Sequence, residues 1–227
     1  MKNIIIKVCG MRDSENIRQV AALGVKWIGM IFWNQSPRNV TMIPTYAGII
    51  PDRSSLNGQN SSSDIQRIGV FVDEMPQNII TRVINFQLDI VQLHGHESPT
   101  LIRNLRRTLD PDMRPGVKIM KTISIGSEED IEVYKTYTNC VDYFLFDTKC
   151  ATKGGSGQHF DWNVLQAYDG TLPFMLSGGI GPDDVERIKA FQHPQCMGID
   201  LNSRFESEPG IKDVEKIRHF LANLQAD

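Results

Sequence analysis

Eight short apolar runs, rich in β-branched residues, recur along the chain at 4–8, 27–32, 68–72, 90–93, 117–120, 143–146, 174–176 and 197–201. Each is too short for a helix, and bulky residues on consecutive positions suit a strand covered on both faces. Between them lie segments with the spacing of amphipathic helices, at 14–23, 78–86, 99–108, 128–137, 183–191 and 212–224. Strand followed by helix, repeated, predicts a parallel sheet, because parallel neighbours need a crossover connection. The 227 residues divide into eight units of about 28, near the roughly 30 that a strand, a loop and a covering helix require. Eight units close a ring. The pattern therefore predicts α/β architecture, a single (β/α)8 TIM barrel domain over 1–227, with an open doubly wound sheet as the alternative.

The segment 51–64 breaks this rhythm, being almost free of apolar residues and rich in Ser, Asn and Gly. It cannot bury a core face and is expected to be a flexible polar insertion on the surface; a linker between domains is the competing reading.

Composition narrows the function. Lys and Arg total 24 against 27 Asp and Glu, a net charge of −3 without a dense basic run, so no nucleic-acid partner is expected. Only three consecutive apolar residues precede Lys7, which predicts neither a secretion signal nor a membrane span and points to a cytoplasmic protein. The four cysteines, Cys9, Cys140, Cys150 and Cys196, form no Cys-x-x-Cys pair, so neither a metal site nor a disulfide scaffold is expected.

In such a barrel the active site is built where the strands end, so the polar residues after each run are the candidates. They are Cys9-Gly10, the loop from Asn34 to Arg38, His94-Gly95, Asp147-Thr148, Ser177-Gly178-Gly179 and Asn202-Ser203-Arg204. Stretches at Gly154-Gly155-Ser156-Gly157, Ser177-Gly178-Gly179-Ile180-Gly181 and, more weakly, Leu201-Asn202-Ser203 fall late in the chain, where barrels of this type bind phosphate with backbone N–H groups; a tight turn into the next helix is the less favoured reading of the Gly-Gly pair. Cys9 and Asp147, at the ends of the first and sixth strands, form a possible acid/base pair across the mouth. Lys7 shares the strand parity of Cys9, so its ammonium can lie nearby and favour the thiolate. A buried free thiol and a turn-forming aspartate are the plainer readings of the two. Arg38 could clamp a carboxylate through two hydrogen bonds or be an ordinary solvated side chain. His94 could bond a substrate or orient its own loop, and His96 is expected to face solvent.

Taken together, Lys7-Val8-Cys9-Gly10, Ser36-Pro37-Arg38, Gly69-Val70-Phe71-Val72, Gln92-Leu93-His94-Gly95, Asp147-Thr148 with Gly154-Gly155-Ser156-Gly157 and Phe160-Asp161-Trp162, Ser177-Gly178-Gly179 and Gly210-Ile211-Lys212-Asp213 resemble the phosphoribosylanthranilate isomerase family, in order and over almost the whole chain. The resemblance implies a cofactor-free Amadori rearrangement of N-(5-phosphoribosyl)anthranilate to 1-(2-carboxyphenylamino)-1-deoxyribulose 5-phosphate in tryptophan biosynthesis. It implies Cys9 as general base, Asp147 as general acid, Arg38 on the anthranilate carboxylate, and His94 and Asp200 on the substrate. Gly155, Ser156, Gly157, Gly178, Gly179, Asn202, Ser203 and Arg204 fall to the phosphate, with no metal, and the protein would act as a monomer or homodimer on a small phosphorylated substrate.

The eighth strand departs from the family's usual Gly-Val-Asp-x-Ser-Ser-Gly-Val-Glu. Here Asn202 replaces a serine and Arg204 a glycine. Arg204 must either tolerate the glycine's conformation or supply a side-chain contact to phosphate. Two other classes stay open at this point: a non-catalytic barrel that binds phosphometabolites, which would need no acid/base pair, and another phosphosugar isomerase, which would need no carboxylate clamp.

Overall fold

The computed structural model describes residues 4–41, 65–148 and 161–226. Eight parallel strands close a barrel in sequence order: β1 (Ile5–Val8), β2 (Trp27–Ile31), β3 (Gln66–Phe71), β4 (Ile90–Leu93), β5 (Lys118–Ile125), β6 (Tyr143–Thr148), β7 (Phe174–Ser177) and β8 (Cys196–Leu201). The seam is β1 against β8, with Ile5 opposite Gly198 and Lys7 opposite Asp200. The open-sheet alternative is thereby excluded. The segment 51–64 lies outside the described residues.

Helices cover the outside: α1 (Ser14–Ala21), α2 (Pro76–Phe86), α3 (Pro99–Thr108), the short α4 (Glu128–Ile131) and α5 (Tyr134–Tyr137), α6 (Val185–Ala190) and α7 (Val214–Gln225). Their starts follow local chemistry. Asp13, Ser98 and Asp213 each accept a bond from a backbone N–H of the first turn, and Pro76 and Pro99 stand where a helix needs no donor. The segment expected as one helix over 128–137 is two one-turn pieces, because it has only Ile131 and Tyr134 to bury. β5 runs five residues beyond the expected end at Met120, since Lys121, Thr122 and Ser124 interrupt the apolar run without interrupting the ladder to β6.

Two apolar layers result. Phe71, Phe144, Phe146, Phe174 and Ile199 point outward beneath the helices. Inside the barrel, Trp27, Ile68, Ile90, Met120, Leu145 and Met175 form a separate plug. Two residues further along the same strands, on the same inward face, stand Gln92, Thr122, Asp147 and Ser177. The barrel interior thus changes from apolar to polar toward the C-terminal ends of its strands.

A buried ion pair not foreseen from the sequence braces that end. Lys121 and Glu97 are almost wholly buried with Nζ 3.1 Å from Oε2, and Lys121 also donates to the Gly95 carbonyl at 2.6 Å. Glu97 in turn accepts from the backbone N–H groups of Asp73 and Gly95. The turn carrying His94 is therefore fixed from below. Removing one partner of such a pair strands a buried charge, so Glu97→Ala is expected to cost about 3–5 kcal/mol and to lower Tm by roughly 6–20 °C. Glu97→Leu with Lys121→Met should recover most of that loss, as thermal melts of the three variants would show; a double variant as unstable as the single would contradict this account.

Candidate active site

Cys9 follows β1 directly, its N–H donating to the Leu201 carbonyl of β8 at 2.8 Å, and its side chain is buried at the floor of the mouth. Lys7, two residues before, is completely buried and donates to Asp200 Oδ1 at 2.9 Å. Three groups of one strand parity, Lys7 on β1, Cys9 just after it and Asp200 on β8, thus meet at the seam.

The charges are strongly coupled. Burial pushes the Cys9 thiol above its usual pKa, the Lys7 and Lys212 ammonium groups pull it down, and Asp200 pushes it up. The sequence suggested that Lys7 favours the thiolate. Lys7 does so, but burial outweighs it. For Lys7, burial acts to lower the pKa, yet Asp200 and Cys9 more than offset this and hold the ammonium above its ordinary value. Burial raises the Asp200 carboxyl against the pull of Lys7, and the nearby Asp147 raises it further.

Asp147 lies within β6, not in a turn, so it is no cap. Its Oδ2 is 3.5 Å from His94 Nε2, both side chains being about a third exposed at the mouth, 29% and 34% respectively. His94 therefore faces the candidate acid. Cys9, Lys7, Asp200, Asp147 and His94 form one connected cluster on the inward face. His96 is on the surface beside Asp73.

Arg38 does clamp a carboxylate, but one belonging to the protein. Its Nε and Nη2 hold Glu206 at 2.8 and 2.6 Å. Glu206 also accepts from Lys212 Nζ at 2.6 Å and from the Gly210 N–H at 3.1 Å. Burial acts to raise the Glu206 carboxyl, and the bonds from Arg38 and Lys212 reverse this and keep it below its usual value. Lys212, pushed down by burial against Glu206, has no exposed side-chain surface. Neither Glu206 nor Lys212 was singled out by sequence reasoning. Each left only a trace, Lys212 inside the Gly210-to-Asp213 motif and Glu206 as the final Glu of the eighth-strand motif.

The turn after β7 carries Gly178 and Gly179 at φ of +104° and +65°, values that favour glycine, and no atom lies within 4 Å of where a Cβ on Gly179 would stand. Arg204, exposed, packs against Gly181 and sends Nη1 to the Gly179 carbonyl at 3.4 Å. Ser203 and Arg204 open a short 3-10 turn (Ser203–Phe205) beside it. The Asn202 side chain faces another group, its Oδ1 accepting from Lys212 Nζ at 2.9 Å. Gly155, Ser156 and Gly157 lie outside the described residues.

The chain is similar in sequence and fold to known proteins. Residues 6–223 match the family model described as N-(5'-phosphoribosyl)anthranilate (PRA) isomerase. The N-(5'-phosphoribosyl)anthranilate isomerase of Parabacteroides distasonis is 42% identical over 221 residues, covering 97% of this chain and 93% of its own length. That of Phocaeicola vulgatus is 42% identical over 222 residues, covering 98% of both. Among solved structures, a phosphoribosylanthranilate isomerase in complex with reduced 1-(o-carboxyphenylamino)-1-deoxyribulose 5-phosphate superposes with a TM-score of 0.74 at 25% identity over 98% of both chains. The enzyme of Thermotoga maritima gives 0.74 at 26% identity, again over 98% of both. With the match running through the barrel from first strand to last helix, this chain belongs to the N-(5'-phosphoribosyl)anthranilate isomerase family.

Proposed function

We propose that Cys9 and Asp147 are the base and the acid with which this chain isomerises N-(5-phosphoribosyl)anthranilate to 1-(2-carboxyphenylamino)-1-deoxyribulose 5-phosphate in tryptophan biosynthesis. The observation that supports these roles is the convergence of Cys9, Asp147, His94 and Asp200 on one inward face, with Arg38 at the same mouth. Asp147 gives its proton to the furanose ring oxygen as the C1–O bond breaks, and the anthranilate nitrogen lone pair completes a C1=N iminium. Cys9 then takes the proton from C2, and the C–H electron pair forms the C1=C2 bond of an enolamine. Loss of the enol proton and gain of one at C1 yield the ketone. The sequence is redox-neutral overall.

His94 is placed to orient Asp147 and to return its proton. Because burial holds the Cys9 thiol high, few molecules carry the thiolate at neutral pH, but each thiolate is a correspondingly strong base. Arg38 takes the anthranilate carboxylate, and Asp200 faces the sugar. The phosphate lies over Gly178 and Gly179, whose φ values turn backbone N–H groups to one side, and it is joined by Ser203, Arg204 and the segment holding Gly155, Ser156 and Gly157. Asn202 is reassigned to the Arg38 side of the mouth. We read the protein as cytoplasmic, working as a monomer or homodimer. Among the described residues, no helix is long and apolar enough to cross a membrane.

Cys9→Ala and Asp147→Asn are each expected to lower kcat by about 10²-fold or more while leaving KM near wild type, followed by loss of substrate fluorescence. Either variant retaining near-normal turnover removes that residue from its role. The thiol offers a second check. A raised pKa means that the reactive thiolate appears only as the pH climbs past the ordinary thiol range, so alkylation of Cys9 by iodoacetamide, read by peptide mapping, should rise with an inflection above about 8.5. Lys7→Met removes an ammonium that favours the thiolate and should move the inflection higher still; a wild-type inflection below that range would contradict the reading. Arg204→Gly should weaken substrate binding about 10-fold or more, the scale of a lost charged hydrogen bond. Unchanged affinity would take Arg204 out of the phosphate site.

A further inference from the structure

The interaction that holds Arg38 is more elaborate than a surface arginine needs. Its side-on edge, Nε with Nη2, is fully engaged by Glu206. Glu206 is itself only 5% exposed and is fixed by the Gly210 N–H and by the wholly buried Lys212 ammonium. Lys212 is anchored in turn. Its Nζ donates to Asn202 Oδ1 at 2.9 Å, and its backbone N–H and carbonyl are bound by the Asn16 side chain of α1 at 2.7 and 2.8 Å. A Cβ on Gly10 would stand 2.7 Å from Arg38 Cδ and 2.8 Å from Asn202 Oδ1, so the whole group rests on the residue that follows Cys9. Two cations face one carboxylate here, leaving a surplus of one positive charge. Among the described residues no partner engages the other fork of the guanidinium, between Nη1 and Nη2.

We propose that Glu206, backed by Lys212, is a positioning residue that sets the plane of the Arg38 guanidinium so that its Nη1/Nη2 fork meets the substrate's carboxylate beside Cys9. This rests on the reading that Arg38 receives that carboxylate. A guanidinium free to rotate would satisfy a carboxylate in many poses and hold C2 of the sugar in none of them. Fixed along one edge, it admits the second carboxylate in one plane only. Glu206 thus serves specificity without touching substrate.

Glu206→Gln distinguishes positioning from charge by the sign of its effect. The substitution adds a net positive charge to the cluster, so if charge alone mattered the substrate would bind more tightly. If position matters, KM for N-(5-phosphoribosyl)anthranilate should rise about 10–100-fold, the scale of a lost bidentate charged contact, with kcat within about 3-fold of wild type. For N-(5-phosphoribosyl)aniline, which lacks the carboxylate, Glu206→Gln and wild type should behave alike, which a variant that failed to fold could not do. In an Arg38→Met background, Glu206→Gln should add nothing further. A KM that falls or stays constant in Glu206→Gln, while Arg38→Met raises it, overturns the positioning role alone. An unchanged KM in Arg38→Met overturns the reading of Arg38 on which it rests.

Discussion

A parallel barrel closes only if its first and last strands find each other in register, and here the residues paired at that seam include Lys7 and Asp200. Their ion pair at 2.9 Å lies inside the barrel, where water does not compensate either charge. Such a pair is weak support for stability but strong support for register, because a one-residue slip of β8 against β1 would turn one charge into the apolar layer beneath the helices and strand the other inside the barrel. The same pair fixes the electrostatics at Cys9. Closure and chemistry thus rest on one contact, which explains why the interior changes from an apolar plug to a polar layer at this height.

The parts of the site legible in the sequence are those governed by local rules. Strand ends, inward parity and glycine-rich turns are properties of short segments, so Cys9, Asp147, His94 and Gly178-Gly179 stand out before any coordinates exist. Lys7 beside Cys9 follows from parity in the same way. What local rules cannot give is the balance of opposing effects. That burial outweighs two ammonium groups at the thiol depends on how closely other strands pack on it, Gly29 of β2 lying so near that a Cβ there would stand 2.9 Å from Sγ.

Other features were illegible because their partners are far apart in sequence. Arg38 and Glu206 are separated by 168 positions, and Lys7 and Asp200 by 193. Nothing in the neighbourhood of Arg38 announces that its first carboxylate is internal. Lys121 looked like the end of a strand because a charge interrupts an apolar run, whereas it points outward beneath Gly95, with Glu97 as its partner. Charged residues within apolar runs were the available signal, since a buried lysine in a strand requires a carboxylate somewhere.

The altered eighth strand shows how the two halves of the mouth divide the labour. Asn202 sits in the Arg38 network through Lys212, while Arg204 lies against the Gly179–Gly181 turn. One substituted position therefore serves the carboxylate side and the other the proposed phosphate side, although they are two residues apart. This division also resolves how a chain of net charge −3 can receive a polyanion. The cations Lys7, Arg38 and Lys212 gather around Cys9, facing Asp200 and Glu206, with Asp147 close to Asp200. With Asp147 holding the proton that its proposed role as the acid requires, the surplus is a single positive charge, held under low solvent exposure where it is poorly screened. A thiolate at Cys9 and a carboxylate on Arg38 draw on that same surplus. On the proposed assignment of Arg38 and Cys9, a bound anthranilate carboxylate therefore makes the thiolate scarcer and more basic, when the proton on C2 is the one to be removed.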